Sequence, residues 1–173
     1  MILVETEVKN KKWHDEKNIC EFFEKICKKI ILYTELKKIK NTHTIQINIS
    51  LVSNQQIKKI NYKFRKKNTA TNVLSFSNLD ENLIRKNGLI NVAKPLKYLV
   101  LGDIVLAYEY LKKEAILQEK IFYNHLTHML VHGILHLIGY DHQEDLQAEI
   151  MEKLEIKILN KFNIKNPYTK NDL

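Results

Sequence analysis

The chain has 173 residues, of which 45% are hydrophobic and 28% charged, a length and an apolar content that fit one globular domain able to bury a substantial core. Nothing approaches the roughly 18 consecutive apolar residues of a membrane span, and the opening Met1-Ile-Leu-Val-Glu5 puts an acid where a secretory leader needs a basic start. The expectation is a single cytoplasmic domain over residues 1–173 with no membrane partner, while the net charge of +8 favours polyanionic partners such as nucleic acid.

In chain order, residues 2–8 alternate Ile2, Val4, Thr6 and Val8 against Leu3, Glu5 and Glu7, the pattern of a strand. From Asp15 to about Leu32, Ile19, Phe22, Phe23, Ile26, Cys27, Ile30 and Ile31 recur at helical spacing. Seven residues of helix would hold Cys20 and Cys27 about 10.5 Å apart, too far for a disulfide, and both read as buried thiols. Residues 44–52 alternate with period two and predict a second strand. Ser53 resembles an N-cap for a short helix whose Ile57, Ile60 and Phe64 share a core face. Residues 72–77 are a short strand, and 78–97, with Gly88 and Pro95, read as a long loop. Tyr98–Ala107 is a strand interrupted at Gly102-Asp103. Helices follow over about 108–118, 119–138 and 143–162; the last is expected to bury Leu146, Ile150, Met151, Leu154, Ile158, Leu159 and Phe162 and to turn its acids outward. The result is a small mixed sheet packed with about five helices.

Five of the seven histidines fall between His125 and His142. At about 100° per residue, His132 and His136 share one face of the 119–138 helix. Gly139 can take the left-handed conformation that ends a helix and turns the chain back, which brings His142 towards the pair. Three neutral imidazoles with an open fourth position make a catalytic zinc site at the helix end; the reading is a metal-dependent hydrolase with one Zn2+ per chain. The spacing also matches that of metzincin peptidases, but where those enzymes carry a general-base Glu this chain has Gly133. His128 is a candidate for supporting a ligand or facing the substrate, or equally for helix packing, and His125 reads as structural. Metal-bound histidines usually donate their other N–H to a carboxylate or carbonyl, and Asp141 and Asp103 are candidates for that part, each equally suited to a turn or cap.

Residues 58–67, Lys-Lys-Ile-Asn-Tyr-Lys-Phe-Arg-Lys-Lys, carry six basic residues and no acid. Such a run is commonly only a solvated face. Here Tyr62, the better stacking candidate, and Arg65, a planar phosphate clasp, suit single-stranded nucleic acid.

Two segments together carry a resemblance. Residues 132–142, His-Gly-Ile-Leu-His-Leu-Ile-Gly-Tyr-Asp-His, and residues 61–76, which include Arg65 and Thr71-Asn-Val-Leu-Ser-Phe76, resemble the YbeY family of bacterial rRNA maturation factors; Leu101-Gly-Asp-Ile104 and Asn166-Pro-Tyr168 also fit. The resemblance implies an α+β fold with a four-stranded sheet. It implies a zinc-dependent, single-strand-specific endoribonuclease that acts in 16S rRNA 3′-end maturation and ribosome quality control, with the small ribosomal subunit as partner. It carries the zinc ligands to His132, His136 and His142 and the functional arginine to Arg65. Asn68, Ala70 and Ser77 depart from the family's usual acid, Pro and Pro, which loosens the loop and leaves the metal motif intact. The rival readings are a metzincin-like metallopeptidase and a non-catalytic ribosome-assembly factor whose zinc is structural.

Overall fold

The computed structural model describes residues 1–80, 82–84 and 88–168. Four strands, β1 (Ile2–Val8), β2 (Thr44–Val52), β3 (Val73–Ser77) and β4 (Tyr98–Ala107), lie side by side in the order β1-β2-β4-β3. β1 and β4 both run parallel to β2, and β3 returns antiparallel along β4. The helices are α1 (Ile19–Ile31), α2 (Asn54–Arg65), α3 (Leu89–Ala93), α4 (Tyr108–Leu117), α5 (Phe122–Leu137) and α6 (Asp145–Asn160). This is the expected α+β architecture. No helix among the described residues is long and apolar enough to cross a membrane.

Strand pleating decides which helix meets which face. In β2 the alternation sends Ile45, Ile47, Ile49 and Leu51 to one side, where they join Phe23 and Ile30 of α1 and Leu126, Leu130 and Ile134 of α5 in the main core. Val52, Leu74, Val105 and Ala107 point to the other side and meet Ile57 of α2 in a smaller cluster. Helices α5 and α2 therefore cover opposite faces of the sheet.

Several boundaries differ from the sequence reading. Within 78–97, Leu89 and Ala93, four apart and both buried, make α3 where a loop was expected; residues 81 and 85–87 lie outside the described residues. β4 runs unbroken, with its register against β2 shifting beside Gly102. Cys27 is buried and its thiol is pushed up to about 12 by desolvation, but Cys20 is exposed. It shares the helical angle of Cys27 but sits in the first turn, where that face is not covered. Phe64 is 59% exposed rather than in the core, and its ring rests on Phe76 at a centroid distance of 5.0 Å. Leu146 and Ile150 are also exposed. The covered row of α6 is Met151, Glu155, Ile158 and Leu159, so a carboxylate occupies the middle of the apolar stripe.

Candidate metal centre

Helix α5 is held from several sides, by β3 and β4 beneath it and by α1, α4 and α6 around it. It lies close on the sheet at Gly133, where a Cβ would stand 3.1 Å from both Ile104 Cδ1 and Ser75 Oγ. A Glu at this position would be driven into β3 and β4, away from the histidine face. At the end of α5, Gly139 has φ +94. Gly139 N–H donates to His136 O and Tyr140 N–H to Leu135 O, the paired bonds of a Schellman stop. That reversal carries residue 142 back over the last turn of the helix.

The structure thereby brings His132, His136 and His142 together, with one ring nitrogen from each lying within 4.8 Å of the others. Glu155 Oε1 accepts from His132 Nδ1 at 2.8 Å, and the carbonyl of Tyr140 accepts from His136 Nδ1 at 3.0 Å. Both acceptors lack a proton to give, so each Nδ1 carries the hydrogen and each Nε2 presents a lone pair. These two Nε2 atoms face each other at 3.1 Å. Two lone pairs so close repel unless a positive charge lies between them, and the donor set therefore fits a metal ion.

Glu155 was not singled out by its sequence. It is completely buried, with Oε1 on His132 and Oε2 accepting from His128 Nε2 at 3.1 Å and from the Tyr168 hydroxyl. Burial alone would raise its carboxyl, but the hydrogen bonds from His128, His132 and Tyr168 outweigh that and hold it at about 2. The available signal was positional: an acid four residues after Met151 and four before Leu159 lies on the stripe it was expected to oppose.

Of the other expected residues, His128 is 8% exposed and turned towards Glu155, and burial pushes its imidazole down. Asp141 Oδ1 accepts the backbone N–H of His142 at 2.8 Å, a turn contact. Asp103 Oδ1 accepts from Asn48 Nδ2 at 3.1 Å across the sheet and does not hold an imidazole. His125 Nε2 donates to Glu114 Oε2 at 3.0 Å, and the same oxygen accepts from Asn72 Nδ2 at 3.0 Å. The helix is thus tied to the loop that follows Arg65. Arg65 itself ends α2, exposed, and is in no ion pair among the described residues. The structure does not bring it against the histidines.

Burial, with the neighbouring His132 and His142, pushes the His136 imidazole down to about 4 from an ordinary 6.5. A base whose folded pKa is depressed contributes stability that is complete above the unfolded value and is lost as the pH falls through the folded one. Metal-free protein is therefore expected to lose up to about 3 kcal/mol between pH 6.5 and 4. Urea denaturation at a series of pH values should show this fall, and a His136→Asn variant should show a shallower one. An equal slope in both proteins would remove His136 as its source.

The profile of the family described as Endoribonuclease YbeY matches residues 5–163. A protein named Endoribonuclease YbeY from Bartonella bacilliformis is 41% identical over 169 residues, covering 98% of each chain. Its namesake from Francisella philomiragia is 44% identical over 128 residues, which cover 74% of this chain and 76% of its own. Another, from Bartonella henselae, is 38% identical over 173 residues, covering 97% of this chain and 98% of its own.

Proposed function

The chain belongs to the Endoribonuclease YbeY family, and on that premise we propose that it is a zinc-dependent, single-strand-specific endoribonuclease acting in 16S rRNA 3′-end maturation and ribosome quality control, with the small ribosomal subunit as its partner. The observation that carries the metal chemistry is the pair of Nε2 lone pairs of His132 and His136, fixed by Glu155 and Tyr140, with His142 beside them. Three neutral nitrogen donors suit Zn2+ with a fourth position left open. Bound there, the ion would act as a Lewis acid on a phosphoryl oxygen and lower the pKa of a coordinated water.

The protein's own groups do the rest. Glu155 keeps the His132 tautomer in place and has no free oxygen with which to take a proton, so it is a positioning residue. His128 supports Glu155, and Asp141 shapes the turn that delivers His142. Lys58, Lys59, Tyr62, Lys63, Arg65, Lys66 and Lys67 are all exposed, a surface on which lysines can follow a phosphate backbone and Tyr62 can stack an unpaired base. We assign Arg65 to a phosphate of the bound strand on the α2 side of the sheet, away from the metal, where its planar guanidinium clasps the backbone and holds the strand. Helix α2 lies across the sheet from α5, so the bound strand passes round the β3 edge, where Asn72, Glu114 and His125 join the two sides.

Arg65→Ala is expected to raise KM for single-stranded RNA about tenfold and to leave kcat and metal content unchanged. Kinetics alongside metal analysis check this; an unchanged KM would remove Arg65 from strand binding. A peptidase reading meets Gly133, which supplies no general base and stands where a Cβ would already crowd Ile104 and Ser75. A purely structural zinc meets a cluster of three members among the described residues, with His128 turned away to Glu155.

A further inference from the structure

Two hollows meet at Tyr168. The one at the imidazoles, about 250 Å3, is lined by His132, His142, Met151, Glu155 and Tyr168 among others. A larger recess of about 700 Å3 opens between the start of α5 and the segment after α6, and His128 and Tyr168 form its inner wall. That volume falls within the roughly 300–1,000 Å3 of small-molecule sites. The ring of Tyr168 is 41% exposed but fixed, since its hydroxyl is bonded to Glu155 and its ring stands edge-on to His128 at 5.7 Å.

The lining of the recess indicates what it can hold. Its charged side chains are Lys120, Lys165 and Glu119, too nearly balanced for a phosphate cradle. Gln118, Asn124 and Asn163 also line it, and the side chain of none of them makes a hydrogen bond among the described residues. Free amides and a fixed aromatic ring match the polar edge and the flat face of a nucleobase. We propose that this recess receives the unpaired base next to the scissile phosphate, stacked on Tyr168, with its edge met by the amides of Gln118, Asn124 and Asn163. The inference rests on the RNA-cleaving reading and adds to it a subsite that seats the strand relative to the metal.

The test uses metal-loaded protein and a short single-stranded RNA carrying 2-aminopurine beside the cut bond. Stacking on Tyr168 is expected to quench the fluorophore. Tyr168→Phe keeps the ring and Tyr168→Leu removes it, while both lose the hydroxyl on Glu155, so effects through the metal centre are shared. Relative to Tyr168→Phe, Tyr168→Leu is expected to lose the quenching and to raise KM about tenfold. Equal KM and equal quenching in the two variants would overturn the subsite. Cleavage by the native protein without quenching would also overturn it while leaving the nuclease reading intact; quenching without cleavage would support the subsite and count against that reading.

Discussion

Replacing His136 with Ala is expected to abolish RNA cleavage, by at least about a thousandfold, with loss of the bound metal. A thousandfold corresponds to roughly 4 kcal/mol of transition-state stabilisation. The size follows from the ligand count: His132, His136 and His142 are the three members of the cluster among the described residues, and two imidazoles do not hold a divalent ion in a defined geometry. The substitution should cost the metal-free fold little, because His136 is only partly buried and its Nδ1 bond goes to a nearby carbonyl at the helix end. Cleavage assays with single-stranded RNA, metal analysis and circular dichroism on the same preparation separate these effects. A folded, metal-depleted His136→Ala protein that cuts RNA at the native rate would sink the metal-dependent mechanism.

The second large effect is expected at Glu155. Its two oxygens satisfy the N–H groups of His128 and His132 and the hydroxyl of Tyr168. In Glu155→Leu those three donors lose their acceptor inside the protein, at about 1–3 kcal/mol each when nothing replaces it. Part of that cost is recovered, because the buried carboxylate and its desolvation go too. The net expectation for metal-free protein is a loss of about 3–5 kcal/mol, measured by urea denaturation. Glu155→Gln is milder for folding: it keeps one acceptor oxygen but turns an amide N–H towards an existing donor. Its expected signature is metal affinity, lowered about 10–100-fold because the His132 ring is no longer held in tautomer and orientation. Competition with a chromophoric chelator reads that out directly. Native affinity in Glu155→Gln would show that the carboxylate only packs α6 against α5.

The difference between His136 and Glu155 also shows how much of the site was legible beforehand. Spacing and a helix-ending glycine were enough to group His132, His136 and His142, because backbone geometry over eleven residues is nearly independent of the rest of the fold. Strands such as Thr44–Val52 were readable for the same local reason. Glu155 depends on which side of α6 meets α5. The hydrophobic pattern tilted that choice towards Leu146 and Ile150, which the structure leaves exposed. Trp13, fully buried with its Nε1–H on the Val52 carbonyl, belonged to no expected element because it lies in a short 3-10 turn. Phe64 was placed by helical angle alone, with no means of knowing that α2 ends beyond the smaller cluster. That α2, which ends at Arg65, covers the sheet face opposite α5 was hidden too, since motifs far apart in a sequence say nothing about sheet faces.

The local origin of the three imidazoles has a consequence for how metal and fold are linked. From His132 to His136 and on to His142 the chain spans four and then six residues, loops whose closure entropy is small even in a disordered chain. The unfolded polypeptide therefore retains part of the chelating power of the native site. A ligand that also binds the unfolded state raises stability by less than its native affinity alone would give. Saturating metal should lift the melting temperature only by the share of affinity that Glu155 and the docked α6 add to what His132, His136 and His142 bring by themselves.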